Sequence, residues 1–413
     1  METLNIVCGA DIHKRFLVAT ILSRDSIRHV KRFAMTIDGL SEFRDWVMSK
    51  GCERVAVEST GRYWVPVYSI LEGTIEVIVA NAYKIKHIPG RKTDLNDSEW
   101  IAELCLNNMI EPSRIFPKES RDLKNLTRAR ESYVNELTRE KNRIHQALES
   151  CSIKLSSVLS DIFGKVGCYI LNGLLEGKDV DDLLENLPVN RLKKKADQIY
   201  DAIKGGLDST QILLIQGSLE HMKAIQKRID VLDLEIRRRA ASRRDDLAIL
   251  MSFPGIGFTS AVTILAEIGN YRDFKAAERL ASWCGLVPSV YQSADKLVTG
   301  CITKRGSRHI RWILVEVAHA IARTKNSELK RFFLRIRAKK GYNVAIVALA
   351  RKVLCIIHHL LINREMYEDG VTRKGKSVVL DEIPSAQISL REMINCLVNA
   401  GYEVSKIKSR ARE

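Results

Sequence analysis

Four acids have the chemistry to work on a phosphodiester: Asp11 in "GADIHK", Glu58 in "VAVEST", and Asp94 and Asp97 in "RKTDLNDSEW". Asp94 and Asp97 lie three apart at the start of a predicted helix, so their carboxylates share one face. Capping explains such a pair on its own, because a helix N-terminus offers orphan amides and the positive end of a dipole. Asp11 alone reads as a strand-end turn residue, and Glu58 alone as a solvated strand end. Brought to one point, however, four carboxylates cannot all stay ionised unless cations neutralise them. Oxygen-only donors select Mg²⁺ or Mn²⁺ over zinc. Two such ions, about 4 Å apart, would clamp the attacking and leaving oxygens of a phosphodiester. Lys92, in the basic run just before the paired acids, is a candidate phosphate contact.

The elements around these acids decide whether they meet. "LNIVCGAD", "RFLVATIL" and "HVKRFAM" read as three strands, with a turn-like "SRDS" between the last two. "SEFRDWVMSK" has helical spacing, "RVAVEST" gives a fourth strand, "WVPVYSILEG" a helix and "IEVIVANA" a fifth strand. Three antiparallel strands followed by strand–helix–strand–helix predict an α/β unit with a mixed sheet. Asp11 and Glu58 then close the first and fourth strands, at the carboxyl edge where ligands of open α/β sheets gather. A helix packed across that edge brings Asp94 and Asp97 to the same place.

The chain has 413 residues, a formal net charge of +16 and a pI near 9.4, which favour a polyanionic partner. A membrane surface is the competitor. The nearest approach to a spanning segment, "VAIVALARKVLCIIHHLLI", is interrupted by Arg351-Lys352. The N-terminal "METLNIVCGADIHK" has neither signal-peptide nor transit-peptide form. Nine cysteines are scattered without any CxxC, so neither zinc spacing nor a disulfide framework is suggested, and a reducing cytoplasm is expected.

Past Pro117 the composition becomes that of long polar helices. Leu123, Leu126, Tyr133, Leu137, Ile144 and Leu148 mark one apolar stripe; Met222, Ile225, Ile229, Leu232 and Ile236 mark a heptad seam. A hairpin within the chain and a dimer between chains satisfy that seam equally. The stretch between them, about 151–211, reads as less regular helix. "LAILMSFPGIGFTSAVTILAEIG" follows, with Gly255 and Gly257 in a turn that turns backbone amides outward at a helix start, a phosphate-binding arrangement. Ser293 lies in a polar stretch after Pro288 that reads as irregular, with Lys304, Arg305, Arg308 and Arg311 beyond it as candidate phosphate contacts. No His partner or GxSxG elbow marks Ser293 as a nucleophile. His358 and His359 read as packed or interfacial. The tail ends in the basic "SKIKSRARE".

Taken in order, "GADIHK", "VAVESTGRYW", "RKTDLNDSEWIAEL", "FPGIG", "FKAAERLASWCGLVPSVYQS" and "TKRGSRHIR" resemble the DEDD-type transposases of bacterial insertion sequences. That family includes the Piv-like DNA invertases and the bridge-RNA-guided recombinases, and the resemblance covers nearly the whole chain. It implies an RNase H-like (RuvC-like) N-terminal domain over 1–115 with Asp11, Glu58, Asp94 and Asp97 as a metal tetrad. A helical coiled-coil region with an insert (116–245) would follow. A mainly helical transposase domain with a helix–hairpin–helix (246–366) and a basic tail (367–413) complete the chain. The family's nucleophilic serine falls on Ser293. The resemblance further implies two Mg²⁺ or Mn²⁺ ions, DNA as substrate, a structured non-coding guide RNA, dimers or tetramers, and action at the nucleoid. Three positions depart from the family pattern: Gln292 replaces the usual acid before the serine, Ala294 the usual glycine after it, and Ser98 a small alanine after the last aspartate. The 151–211 region also exceeds the usual length. The expected activity is excision and insertion of a mobile element. A hydrolytic RuvC-like nuclease and a non-catalytic nucleic-acid-binding protein are the alternatives.

Overall fold

The computed structural model describes residues 4–25, 27–59, 61–81, 97–189, 194–293, 296–325 and 327–368. The chain forms two compact units, Met1–Pro117 and Lys118–Glu413.

The first unit is built on five strands: β1 (Ile6–Ile12), β2 (Phe16–Ser23), β3 (Arg28–Ala34), β4 (Arg54–Glu58) and β5 (Glu76–Ala80). They lie in the order β3-β2-β1-β4-β5. The β1–β2 and β2–β3 pairs are antiparallel, while β1–β4 and β4–β5 are parallel. All five expected strands form, and the mixed sheet is the expected one. Alternation along each strand sends side chains to opposite faces. Cys8, Ala10, Val55 and Val57 point to the face covered by α1 (Ile37–Ser49) and α2 (Trp64–Leu71), where Phe43, Val47, Val67 and Leu71 are fully buried. Val7 and Ala56 point to the other face, covered by α3 (Asp97–Leu106) through Ile101, Ala102 and Leu104.

In the second unit, α4 (Lys118–Ser150) runs into a group of short helices: α5 (Leu155–Val158), α6 (Lys165–Leu175), α7 (Val180–Glu185) and α8 (Ala196–Ile203). The chain returns along α9 (Ser209–Ala240). Ion pairs Asp122–Arg239 (3.2 Å), Arg130–Asp233 and Glu140–His221 (3.0 Å) step down one helix as they climb the other, so α4 and α9 are antiparallel. Leu123, Ile144, Ile225, Ile229 and Ile236 are buried along the pair. The choice the sequence left open is thus made: the apolar seam closes within the chain. The 151–211 insert forms a helical cap at the tip of this pair, with its own core of Ile153, Ile162, Ile170, Ile199 and Ile203 packed against Ile144 and Leu148.

The remaining helices share one core: α10 (Arg244–Ser252), α11 (Phe258–Ile268), α12 (Ala277–Trp283), α13 (Arg308–Arg323), α14 (Glu328–Lys340) and α15 (Tyr342–Asn363). Helix α15 is long and apolar enough to cross a membrane, but Leu349, Val353, Leu354, Ile357 and Leu361 are buried in this core, which accounts for its composition. His358 is packed as expected, its Nε2 lying 3.1 Å from the Phe274 carbonyl.

One expectation needs correction. The stretch around Ser293 is not irregular: β6 (Pro288–Ser293) and β7 (Lys296–Ile302) form an antiparallel hairpin. β-Branched Val290, Val298 and Thr299, with Tyr291, supply the strand preference that the polar neighbours hide.

Candidate active site

Register places the acids. Ala10 pairs with Val57 on the parallel neighbour, so Asp11 and Glu58, one residue on, sit side by side where both strands end. Asp11 lies two residues from Gly9 and Glu58 two from Ala56, so both side chains point to the α3 face. Helix α3 runs opposite to β1. Its C-terminal Leu106 carbonyl shares the Arg24 guanidinium with the carbonyl of Leu4, at the start of the sheet (3.4 and 2.8 Å). Its N-terminus, with Asp97, therefore lies toward the Asp11–Glu58 edge.

Two contacts fix that placement. A Cβ on Gly9 would come within 2.2 Å of the Ser98 carbonyl and 2.3 Å of the Ala102 nitrogen, so only glycine lets α3 lie directly on β1. Ser98, at the position where the family commonly has alanine, is buried and its hydroxyl lies 2.7 Å from that of buried Thr20 on β2. The polar departure is therefore satisfied, as a buried hydroxyl must be, and it pins the first turn of α3 to the sheet.

Asp11 also has a partner that sequence reasoning passed over. His13 Nε2 lies 2.9 Å from Asp11 Oδ2. The i, i+2 spacing in "DIH" at a strand end was the available signal. Asp94 and Lys92 lie outside the described residues. Among the described residues, no group of three or more His, Cys, Asp or Glu side chains is close enough to hold an ion. What the structure shows is Asp11 and Glu58 adjacent on one face, and the start of the Asp97 helix directed to their edge.

In the second unit, Ser293 is the last residue of β6, paired with Lys296 across the hairpin. The Pro254–Gly257 turn joins α10 to α11. Gly255 has φ +82°, a left-handed conformation suited to glycine, and Ile256 is buried beneath it. Gly257 precedes α11 with no side-chain cap and open space where a Cβ would project, which leaves this helix start accessible. Lys304, Arg305 and Arg308 are exposed. Arg311 is engaged instead: its Nη1 donates to the carbonyls of Cys284 (3.2 Å), Arg305 (2.8 Å) and Gly306 (3.2 Å), tying down the turn that carries Lys304 and Arg305 and leads into α13.

A second feature went unread in the sequence. Glu267 in α11 is fully buried, with Arg128 Nε at 2.6 Å and Nη2 at 3.0 Å in a bidentate pair and Lys124 Nζ at 3.6 Å. Arg128 Nη2 also donates to Ser307 Oγ (3.3 Å), and Ser307 caps α13. Glu131 adds a 2.6 Å contact to His309. Burial pushes the Glu267 carboxyl up, but Arg128 and Lys124 more than offset it and hold it below the ordinary range. We expect Glu267→Gln to lower stability by about 3–5 kcal/mol, because it takes the carboxylate away from the partly buried Arg128 guanidinium. A group with a depressed folded pKa contributes stability above its unfolded pKa and loses it as pH falls through the folded value. The gap in thermal midpoint between wild type and variant should therefore be full at neutral pH and narrow only below the ordinary glutamate range. A variant as stable as wild type at neutral pH would show that the pair contributes nothing.

Two family models match this chain. One, described as a transposase of the DEDD IS110 type, covers residues 8–153. The other, described as the transposase IS116/IS110/IS902 family, covers residues 247–334. The chain belongs to this family of insertion-sequence transposases. Among curated relatives, a probable family 20 transposase of Pseudomonas aeruginosa is 25% identical over 323 residues, 76% of this chain and 86% of the relative. The transposase for insertion sequence element IS1111A of Coxiella burnetii is 25% identical over 326 residues, 78% of this chain and 80% of the relative. A pilin gene-inverting protein of Moraxella bovis is 28% identical over 126 residues, 30% of this chain and 39% of that protein. As a transposase the chain is an enzyme of DNA recombination. The first matched segment contains all four acids. The second contains Ser293, both turn glycines and the basic cluster.

Proposed function

We propose that this transposase excises and inserts its element by transesterification, with Ser293 as nucleophile and Asp11, Glu58, Asp94 and Asp97 as the metal-binding acids. The observation that carries the reading is the register of β1 and β4. It sets Asp11 beside Glu58 on the α3 face, inside the segment matched by the DEDD transposase model. The sheet order, with three antiparallel strands and then two parallel ones, supports an RNase H-like (RuvC-like) reading of residues 1–115. The oxygen-only donor set fits two Mg²⁺ or Mn²⁺ ions, which when bound neutralise charge on the attacking and leaving oxygens. The acids hold and orient that charge, and His13 orients Asp11.

In the step proposed for Ser293, its Oγ forms a bond to phosphorus as the bond from phosphorus to a deoxyribose oxygen breaks. The serine proton passes to a base and the sugar oxygen leaves carrying a proton. One phosphodiester replaces another, so rejoining by the reverse attack requires no ATP. Serine is a poor nucleophile unless a base or metal activates it, which assigns that task to the acids. Exposed Lys304, Arg305 and Arg308, with Lys92 and the amides after Gly255 and Gly257, hold phosphates; Arg311 shapes the turn that carries Lys304 and Arg305. We assign residues 116–245 to a helical coiled-coil region with an insert, 246–366 to the transposase domain with its helix–hairpin–helix, and 367–413 to a basic arm, in a chain that assembles as dimers or tetramers.

A structured non-coding RNA of the element is the proposed guide. Protein purified from cells carrying the intact element should bring down one discrete transcript and recombine element-end DNA in Mg²⁺, with loss of activity in EDTA. Complete RNase digestion should stop the reaction. Undiminished recombination after digestion would reject guidance and leave a self-sufficient recombinase.

A further inference from the structure

Beside the base of the β6–β7 hairpin the second unit carries a groove of about 930 Å³. Pro288, Cys301 and Ile302 of the hairpin form one wall, and Phe332 of α14 with Val344 and Val347 of α15 supplies an apolar floor. Val344 is 50% exposed and is wetted in the free chain. Lys304, Lys340, Arg351 and Lys352 also line the groove. None of the four forms an ion pair with a carboxylate among the described residues. Lys352 Nζ lies over the Phe332 ring, 4.6 Å from its centroid.

We propose that this groove holds an unpaired nucleic-acid strand, its phosphates on the four cations and its bases on the apolar floor. A duplex keeps its bases stacked inside it, has nothing to lay on the floor and so does not seat in this groove. An apolar floor between unpaired cations suits a strand whose bases are free to turn outward. The volume lies at the upper end of ordinary ligand pockets, about 300–1,000 Å³, which leaves room for more than one nucleotide. Ser293 is five residues along β6 from Pro288, about 17 Å at the usual rise of a strand. The groove therefore grips a strand away from the serine, and the proposal stands whether or not Ser293 reacts.

The test uses the full chain with Asp11→Asn, in EDTA, so that binding is read without chemistry. Fluorescence anisotropy compares short oligo-dT, oligo-rU and a duplex of equal length. Val344→Glu places a carboxylate on the floor at an exposed position. It should weaken both single strands about tenfold or more while changing duplex affinity less than about twofold. Lys340→Glu, at an exposed helix end, gives the same reading from the rim should the first variant fail to fold. The tighter of the two single strands identifies DNA or RNA as the occupant, and 5-iodouracil in that strand should crosslink to the hairpin base, α14 or α15. Equal losses for single strand and duplex, no loss at all, or crosslinks only elsewhere would overturn the proposal. So would a Val344→Glu chain that loses self-association but keeps its oligonucleotide affinity, which would give the groove to a second copy.

Discussion

Asp11→Asn is expected to abolish strand cleavage, a fall on the order of 10³-fold or more, in line with the loss of a preorganised electrostatic group from an active site. Asparagine keeps the size and one oxygen of the side chain but removes its charge, so the sheet should fold unchanged. Nucleic-acid binding should hold or rise slightly, because one negative charge fewer faces a polyanion. Cleavage in Mg²⁺ and a thermal unfolding curve with and without Mg²⁺ make the comparison. Full cleavage by Asp11→Asn would remove the metal reading of the β1–β4 edge.

Ser293→Ala is expected to eliminate recombination, a loss on the order of 10⁴–10⁶-fold, the scale seen when a covalent nucleophile is deleted. Folding and metal binding should persist, since alanine deletes one oxygen at the end of a two-stranded hairpin. Mixing Ser293→Ala protein with Asp11→Asn protein should restore partial activity if acids and serine are supplied by different subunits, while neither works alone. Recombination by Ser293→Ala at the wild-type rate would leave the hydrolytic alternative.

The strands around the acids were legible because alternation and turn residues agree with the fold at every level. "NIVCGAD" and "RVAVE" each carry a single acid at the end of an apolar run, and register did the rest. Gly9 and Ser98 show what pattern cannot display. One is silent until a helix lies on it, and the other departs from the family's alanine yet finds Thr20, 78 residues away in the chain, as its partner. The long-helix seam was visible, but its apolar spacing is the same for a partner in the chain or outside it; the ion pairs along α4 and α9 decide between them. Glu267 was hidden for a related reason. It is one acid in an apolar helix, and its cations come from α4, 139 residues away in the case of Arg128. The β6–β7 hairpin escaped because Pro288, Ser289, Gln292 and Lys296 mask a short β-branched pattern. Asp94 and Lys92 lie outside the described residues, and their part rests on the sequence.

The most direct measurement traps the reaction on labelled element-end DNA, denatures the protein and follows the label. If Ser293 exchanges one phosphodiester for another, the label migrates with protein, and mass spectrometry places a phosphodiester on the peptide containing Ser293. The adduct requires divalent metal and is missing from both Ser293→Ala and Asp11→Asn chains. Cleaved DNA that carries no protein under the same trapping conditions, or an adduct on any other residue, would contradict the account.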